Sequence, residues 1–267
     1  MATVIAIANQ KGGVAKTTST FNLAHALVER GQRVLCIDAD PQASLTGYFG
    51  LDPVDLGEKQ QTLYFGLVGE NPVPLSTLIV GQNPAIIPTN IKLAAAEADL
   101  RADTTLPAQE ALRYQLREIK DRFDFILVDC QPSLGILPAN ALAAADLVLV
   151  PVETTKMARE GLMDFFDTLR KIRRRLNPEV QVLGILPTKY DSRRNHDNEQ
   201  LALIREFGER QRVRVLEPVR YTTAFDKASD EGRPVNEMRS GSGVIENYQH
   251  LAGELLSGDR DTQPSSI

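Results

Sequence analysis

The stretch Thr3-Val4-Ile5-Ala6-Ile7-Ala8-Asn9-Gln10-Lys11-Gly12-Gly13-Val14-Ala15-Lys16-Thr17-Thr18 decides the fold. Residues 3–8 form an unbroken apolar, β-branched run, as a strand buried on both faces requires. Two lysines, two glycines and two threonines follow. Helical spacing then runs through Phe21, Leu23, Ala24, Leu27 and Val28 over Thr17–Arg30, with Gly31 where a C-terminal helix cap belongs. Gly12-Gly13 alone could be a turn that caps a helix. Between a buried strand and a helix, and followed by Lys16-Thr17, the loop instead has the parts that triphosphate binding needs. Backbone amides curl around phosphate oxygens and the helix dipole adds favourable charge. Lys16 reaches the β- and γ-phosphates, and the Thr17 hydroxyl can ligate Mg²⁺. Lys11, Gly12, Gly13, Val14, Ala15, Lys16, Thr17 and Thr18 are therefore the expected triphosphate-binding loop.

Outward from this unit, apolar runs alternate with helical patterns. Arg33–Asp38, Phe125–Asp129, Leu147–Val150 and Val182–Leu186 read as buried parallel strands. Helices are expected at Lys92–Leu100, Ala108–Lys120, Ala139–Ala145, Arg159–Leu176, Asn198–Arg210 and Ser242–Leu256, and Asp52–Gln82 as a Gly/Pro-rich connection with short helices. This alternation predicts an α/β fold: one domain over residues 3–256 with a doubly wound, mostly parallel sheet flanked by helices. Residues 257–267 read as a polar, disordered tail.

Two carboxylates stand at strand ends, where ligands of such sheets bind. Asp38-Ala39-Asp40-Pro41-Gln42 closes the second strand, and a carboxylate there can orient an attacking water or hold Mg²⁺ through water. Alone, it would equally be a strand-end turn, since Asp-Pro favours turns. Phe125-Ile126-Leu127-Val128-Asp129 has the form of a Walker B strand, which puts Asp129 on the Mg²⁺ shell. Thr17, Asp40 and Asp129 are thus the expected metal-site residues.

The loop departs from the ordinary pattern G-x-x-x-x-G-K-[ST], with Gln10 and Ala15 at its two glycine positions. Lys11-Gly12-Gly13-x-x-Lys16-Thr17 instead resembles the deviant Walker A motif of the ParA/MinD family, a deviant P-loop NTPase fold. The resemblance implies that Lys11 reaches across a nucleotide-sandwich homodimer to the partner's phosphates. It also implies that Asp40, before Pro41-Gln42, is tied to hydrolysis, so Lys11, Lys16 and Asp40 are the expected catalytic residues. Gly184–Asp191 is similar to the family's strand and loop near the base, which assigns Pro187 and Thr188 to ATP. Lys227–Val235 is similar to a further family segment. Ala15 stands where family members more often carry Gly, a replacement that is harmless at negative φ and costly at positive φ. Gln131 stands where the family pattern Asp-x-Pro-Pro-Ser has its first Pro, and is expected to loosen that segment.

Composition bears on the partners. The 267 residues carry a net charge of −5, which at face value argues against a nucleic-acid partner. Arg170 to Arg220, however, holds 13 Lys and Arg against 7 Asp and Glu, a local charge of +6 inside an acidic protein. Cations on helix ends and loops suit sequence-independent phosphate contacts, although Arg170–Arg175 would also complement a helix C-terminus. Family resemblance agrees with binding to non-specific double-stranded DNA. Arg194 and Arg220 are the first candidates, with Arg193, Arg174 and Lys227 behind them. Two cysteines cannot frame disulfides, and three scattered histidines offer no zinc cluster. The polar C-terminal tail lacks the basic amphipathic helix of membrane-bound relatives, so no membrane partner is expected. With the first strand at Thr3, neither a helix-turn-helix extension nor specific DNA reading is expected, and a cytoplasmic, nucleoid-associated protein is.

The expected function is ATP-dependent partition or positioning, segregating a plasmid, a chromosome or another cargo. An ATP-bound dimer coats DNA, and slow hydrolysis to ADP and phosphate, stimulated by a ParB-like or cargo-adaptor protein, releases it; the cofactors are ATP and Mg²⁺. The alternative is a metabolic ATPase or ligase of the same superfamily, for which Asp52–Gln82 is short to build a substrate domain.

Overall fold

The computed structural model describes residues 1–69, 71–103, 107–133, 135–231, 233, 235 and 245–257. Six parallel strands form one sheet in the order β3-β2-β4-β1-β5-β6. They are β1 (Thr3–Ile7), β2 (Val34–Ala39), β3 (Ala85–Ile87), β4 (Phe125–Cys130), β5 (Leu147–Glu153) and β6 (Gln181–Thr188). β1 is central, between β4 and β5, and the chain winds outward from it in both directions. Ligand sites of such sheets lie at the carboxyl ends of the strands beside that reversal point.

Eleven helices are described: α1 (Lys16–Val28), α2 (Ser44–Tyr48), α3 (Pro53–Glu58), α4 (Leu63–Leu67), α5 (Ala96–Ala102), α6 (Ala111–Leu116), α7 (Ile136–Ala144), α8 (Ala158–Arg175), α9 (Asn195–Gln211), α10 (Ala224–Asp230) and α11 (Glu246–Ser257). The two-residue period of the strands sorts their side chains into two cores. Ile5, Ile7, Cys36, Leu127 and Leu149 pack under α1, α2, α10 and α11. Val4, Ala6, Ile37, Val128 and Val150 pack under α4 to α9 on the other face. Both cysteines are buried and free, one in each core.

Gly31 takes φ +77° and its amide closes on the Val28 carbonyl at 2.8 Å, which ends α1 as a helix cap should. Other elements differ from the sequence reading. β3 was not expected: three residues set between Pro84 and Pro88 are too few to show a period. Residues 91–95 form a 3₁₀ turn ahead of a shorter α5, and α6 covers only six residues of the expected Ala108–Lys120 helix. α7 begins three residues early, because Pro138 falls within its first turn, where its missing N–H has no helical partner to lose. The start of the expected Ser242–Leu256 helix, residues 258–267, Gly232 and Pro234 lie outside the described residues.

Candidate nucleotide site

The loop 9–15 leaves the end of β1 and enters α1, and neighbouring strand ends hold it in place. Asn9, buried, donates from Nδ2 to the Pro151 carbonyl of β5 at 2.7 Å and accepts the Lys11 amide at 3.0 Å. The Thr188 hydroxyl at the end of β6 donates to the Val14 carbonyl at 3.2 Å. Pro187, one residue earlier, accepts the Val219 amide at 2.8 Å. Gly12 and Gly13 are exposed, and Gly13 has φ +74°. Val14 is fully buried and Thr18 half-buried at the first turn of α1. The first amides of α1 have no intrahelical acceptor, so this end of the helix presents donors and positive potential.

Ala15 sits at φ +65°, ψ +34°, directly before α1. The positive φ is the condition under which alanine is costly there. Lys16 is buried and its ammonium donates to the Lys11 carbonyl at 3.1 Å, joining the two ends of the loop. Lys11, by contrast, lays its ammonium on the Thr155 hydroxyl of the β5–α8 connection, 3.0 Å away in its own chain.

β2 and β4 are in register at Asp38 and Asp129, so both carboxylates fall on the α1 face of the sheet. Asp129 accepts the Thr17 hydroxyl at 2.7 Å on Oδ2 and leaves Oδ1 buried without a partner. Of three such buried side-chain atoms among the described residues, it alone belongs to a carboxylate. Burial pushes its pKa up to about 8, helped by Asp38 and opposed by Thr17 and Lys16. Asp38 accepts both the amide and the hydroxyl of Thr46, at 2.8 and 2.7 Å, and is pushed up to about 6, again chiefly by burial. Burial pulls the Lys16 ammonium below its usual range, against the attraction of Asp129. The Lys16 ammonium and the Asp129 carboxylate thus attract each other across a buried pocket that Asp38 also faces. Asp40 stands just past β2, half-buried, with Oδ1 accepting the Gln42 amide at 3.0 Å.

No cluster of three or more His, Cys, Asp or Glu side chains that could hold a metal occurs among the described residues. Mg²⁺ in ATPase sites takes one or two protein ligands and completes its shell with phosphate oxygens and water. The orphaned Asp129 oxygen beside Thr17 fits that demand.

The cationic candidates fall into separate places. Arg193 and Arg194 lie in the turn after β6, where both pair with Asp191, at 2.9 and 3.7 Å. The 219–221 segment runs alongside, through the Tyr190–Arg220 bridge and the Tyr221 amide on the Tyr190 carbonyl at 2.9 Å. Arg220 is exposed with no ion pair among the described residues. Arg174 is exposed near the C-terminus of α8, whose 18 residues span about 27 Å, away from the strand ends where Arg193 and Arg194 sit. Lys227 is exposed on α10, which packs on α2. Sequence reasoning missed Asn9, Asp38, Thr46 and Thr155. Only Asp38 had a signal, since the alternation Val34-Cys36-Asp38 places it on the face that Asp129 shares.

A strand, a glycine loop, a buried lysine and a threonine hydrogen-bonded to a strand-end carboxylate define a nucleotide-binding P-loop protein. The chain belongs to the ParA-type family of partition ATPases. Its residues 2–182 match the family model AAA_31, described as an AAA domain. It is 36% identical to the chromosome partitioning protein ParA of Caulobacter vibrioides, covering 97% of this chain and 96% of that one. It is 33% identical to the sporulation initiation inhibitor protein Soj of Bacillus subtilis, over 96% and 99% of the two chains. A solved Mycobacterium smegmatis structure, a cobyrinic acid a,c-diamide synthase with bound ADP and magnesium, superposes with a TM-score of 0.82 at 34% identity, over 99% and 98% of the chains. No described helix is long and apolar enough to cross a membrane.

Proposed function

We propose that the protein is an ATP-driven positioning switch: it binds Mg²⁺·ATP, forms a homodimer around it, binds non-specific double-stranded DNA in that state, and hydrolyses ATP slowly to let go. The pairing of Thr17 with a buried Asp129 that keeps one oxygen free carries the nucleotide part of this reading. Residues 12–18 would hold the phosphates with backbone amides and Lys16, Thr188 braces the loop from β6, and Pro187 and Thr188 would lie against the bound ATP. Thr17 and Asp129, with Asp40 acting through water, would hold Mg²⁺, which supplies charge neutralisation on the phosphates. Asp40 orients the attacking water. Lys11 exchanges its bond to Thr155 for the partner's phosphates, and its ammonium stabilises charge that develops there.

Arg193, Arg194, Arg220, Arg174 and Lys227 are the proposed DNA contacts. Arg220 and Arg174 have no ion pair among the described residues, whereas Arg193 and Arg194 share Asp191. A ParB-like or cargo-adaptor protein would stimulate hydrolysis, which suits a nucleoid-associated protein. Light scattering with phosphate release tests the switch: Asp40→Ala should hold a stable dimer in Mg²⁺·ATP and release no phosphate. Wild-type turnover in that variant would remove Asp40 from the mechanism.

The similarity to a cobyrinic acid a,c-diamide synthase favours a second reading, a metabolic ATPase or ligase. A large rise in ATPase rate with a small carboxylate, and none with DNA and a partner protein, would favour it.

A further inference from the structure

Gln131, which replaces a proline of the family pattern, does not hang free. Its Nε2 donates to Glu97 Oε1 of α5 at 3.0 Å. The Glu97 carboxylate lies over Gly135, at the N-terminus of α7, so closely that a Cβ on Gly135 would fall 2.0 Å from Oε1 and 2.7 Å from Oε2. The next residue along, Pro132, stands with its ring 3.8 Å from where a Gly12 Cβ would be. One side chain of α5 therefore reaches both Gln131, two residues past Asp129, and Gly135 at the start of α7.

We propose that Glu97 and Gln131 form a latch that seats the β4–α7 segment against the phosphate loop, making both of them positioning residues for ATP turnover. Three observations converge on it. The contact spans 34 residues and joins α5 to the end of β4. The carboxylate at the start of nine-residue α7 is favoured by the helix dipole and by the open space that a glycine leaves. Pro132, next to Gln131, stands beside the phosphate loop, its ring 3.8 Å from where a Cβ on Gly12 would be. Glu97 held against Gln131 and Gly135 keeps Asp129 and the loop in one relative geometry, and small misplacements of reacting groups cost rate more than affinity. The sequence expectation that Gln131 loosens this segment is reversed here, because the amide takes a partner that a proline could not.

The inference rests on the ATPase reading, so wild-type turnover and ADP affinity by calorimetry are measured first. Absent turnover and absent ADP binding would defeat that reading and, with it, any role of the latch in turnover. With both present, steady-state kinetics on Glu97→Ala, Glu97→Gln, Gln131→Ala, Gly135→Ala and the double variant Glu97→Ala/Gly135→Ala decide the matter. Glu97→Ala and Gln131→Ala are expected to lower kcat about fivefold while ADP affinity changes less than about twofold. Glu97→Gln keeps an acceptor and should retain wild-type kcat. Gly135→Ala pushes the carboxylate aside and should match Glu97→Ala, and the double variant should be no slower than either single one. Equal damage in Glu97→Gln and Glu97→Ala, unchanged kcat in Gly135→Ala, or losses that multiply in the double variant would each overturn the latch.

Discussion

Ala15 and Gly13 both occupy the left-handed backbone region, at φ +65° and +74°, within three residues of each other. An L-residue there costs about 1–2 kcal/mol relative to glycine, because its Cβ crowds the following carbonyl oxygen. Glycine brings its own cost, about 0.4–1 kcal/mol of extra freedom in the unfolded chain. For Ala15→Gly the first term exceeds the second, and the folded protein gains about 0.5–1 kcal/mol. A chain of this size shifts its midpoint by about 2–4 °C per kcal/mol, so thermal unfolding without nucleotide should show Tm rising by about 1–4 °C. Gly13→Ala is the mirror experiment. Nothing lies within 4 Å of the added Cβ, so the change acts through φ alone and should lower Tm by a similar amount. An Ala15→Gly protein that melts at or below the wild-type temperature, or a Gly13→Ala protein that melts above it, would refute the strain argument.

Three further outcomes follow from the geometry. Thr46→Val removes a hydroxyl that donates to Asp38 and accepts the buried Thr89 amide at 3.0 Å; the orphaned amide should cost about 1–3 kcal/mol in denaturant unfolding, and no loss would contradict it. Burial holds His25 down at about 4, below its unfolded value near 6.5, so the unfolded chain takes up a proton first and stability falls as pH drops from about 6.5 to about 4. His25→Gln should flatten the unfolding free energy across that window, and equal slopes in the two proteins would count against it. Arg220→Ala should weaken DNA binding evenly across sequences and reduce the salt dependence by about one unit, whereas a sequence-selective loss would point to base contacts.

Most of the sheet was legible in the sequence because strands buried on both faces read as continuous apolar runs, and five of the six strands have that form. β3 was not, since three residues between prolines carry no period. The site divides the same way. Lys16, Thr17 and Asp129 were legible because loop chemistry depends on local spacing. The bonds from Lys11 to Thr155 and from Asn9 to Pro151 join positions more than 140 residues apart, and no local pattern encodes them. The sign of φ at Ala15 was likewise out of reach, because alanine signals no preference for the left-handed region. Charge behaved differently again: the +6 window was visible, yet the fold places Arg174 at one end of α8 and Arg193, Arg194 and Arg220 near the strand ends at the other.

The most direct test is retention on non-specific double-stranded DNA at one fixed salt concentration with Mg²⁺·ATP, with Mg²⁺·ADP and without nucleotide. An acidic protein whose exposed Arg193, Arg194 and Arg220 gather beside the strand ends should bind DNA tightly only when a nucleotide-held dimer presents that group twice, so strong retention with ATP and weak retention in the other two states is the predicted result. Equal retention in all three states would contradict it.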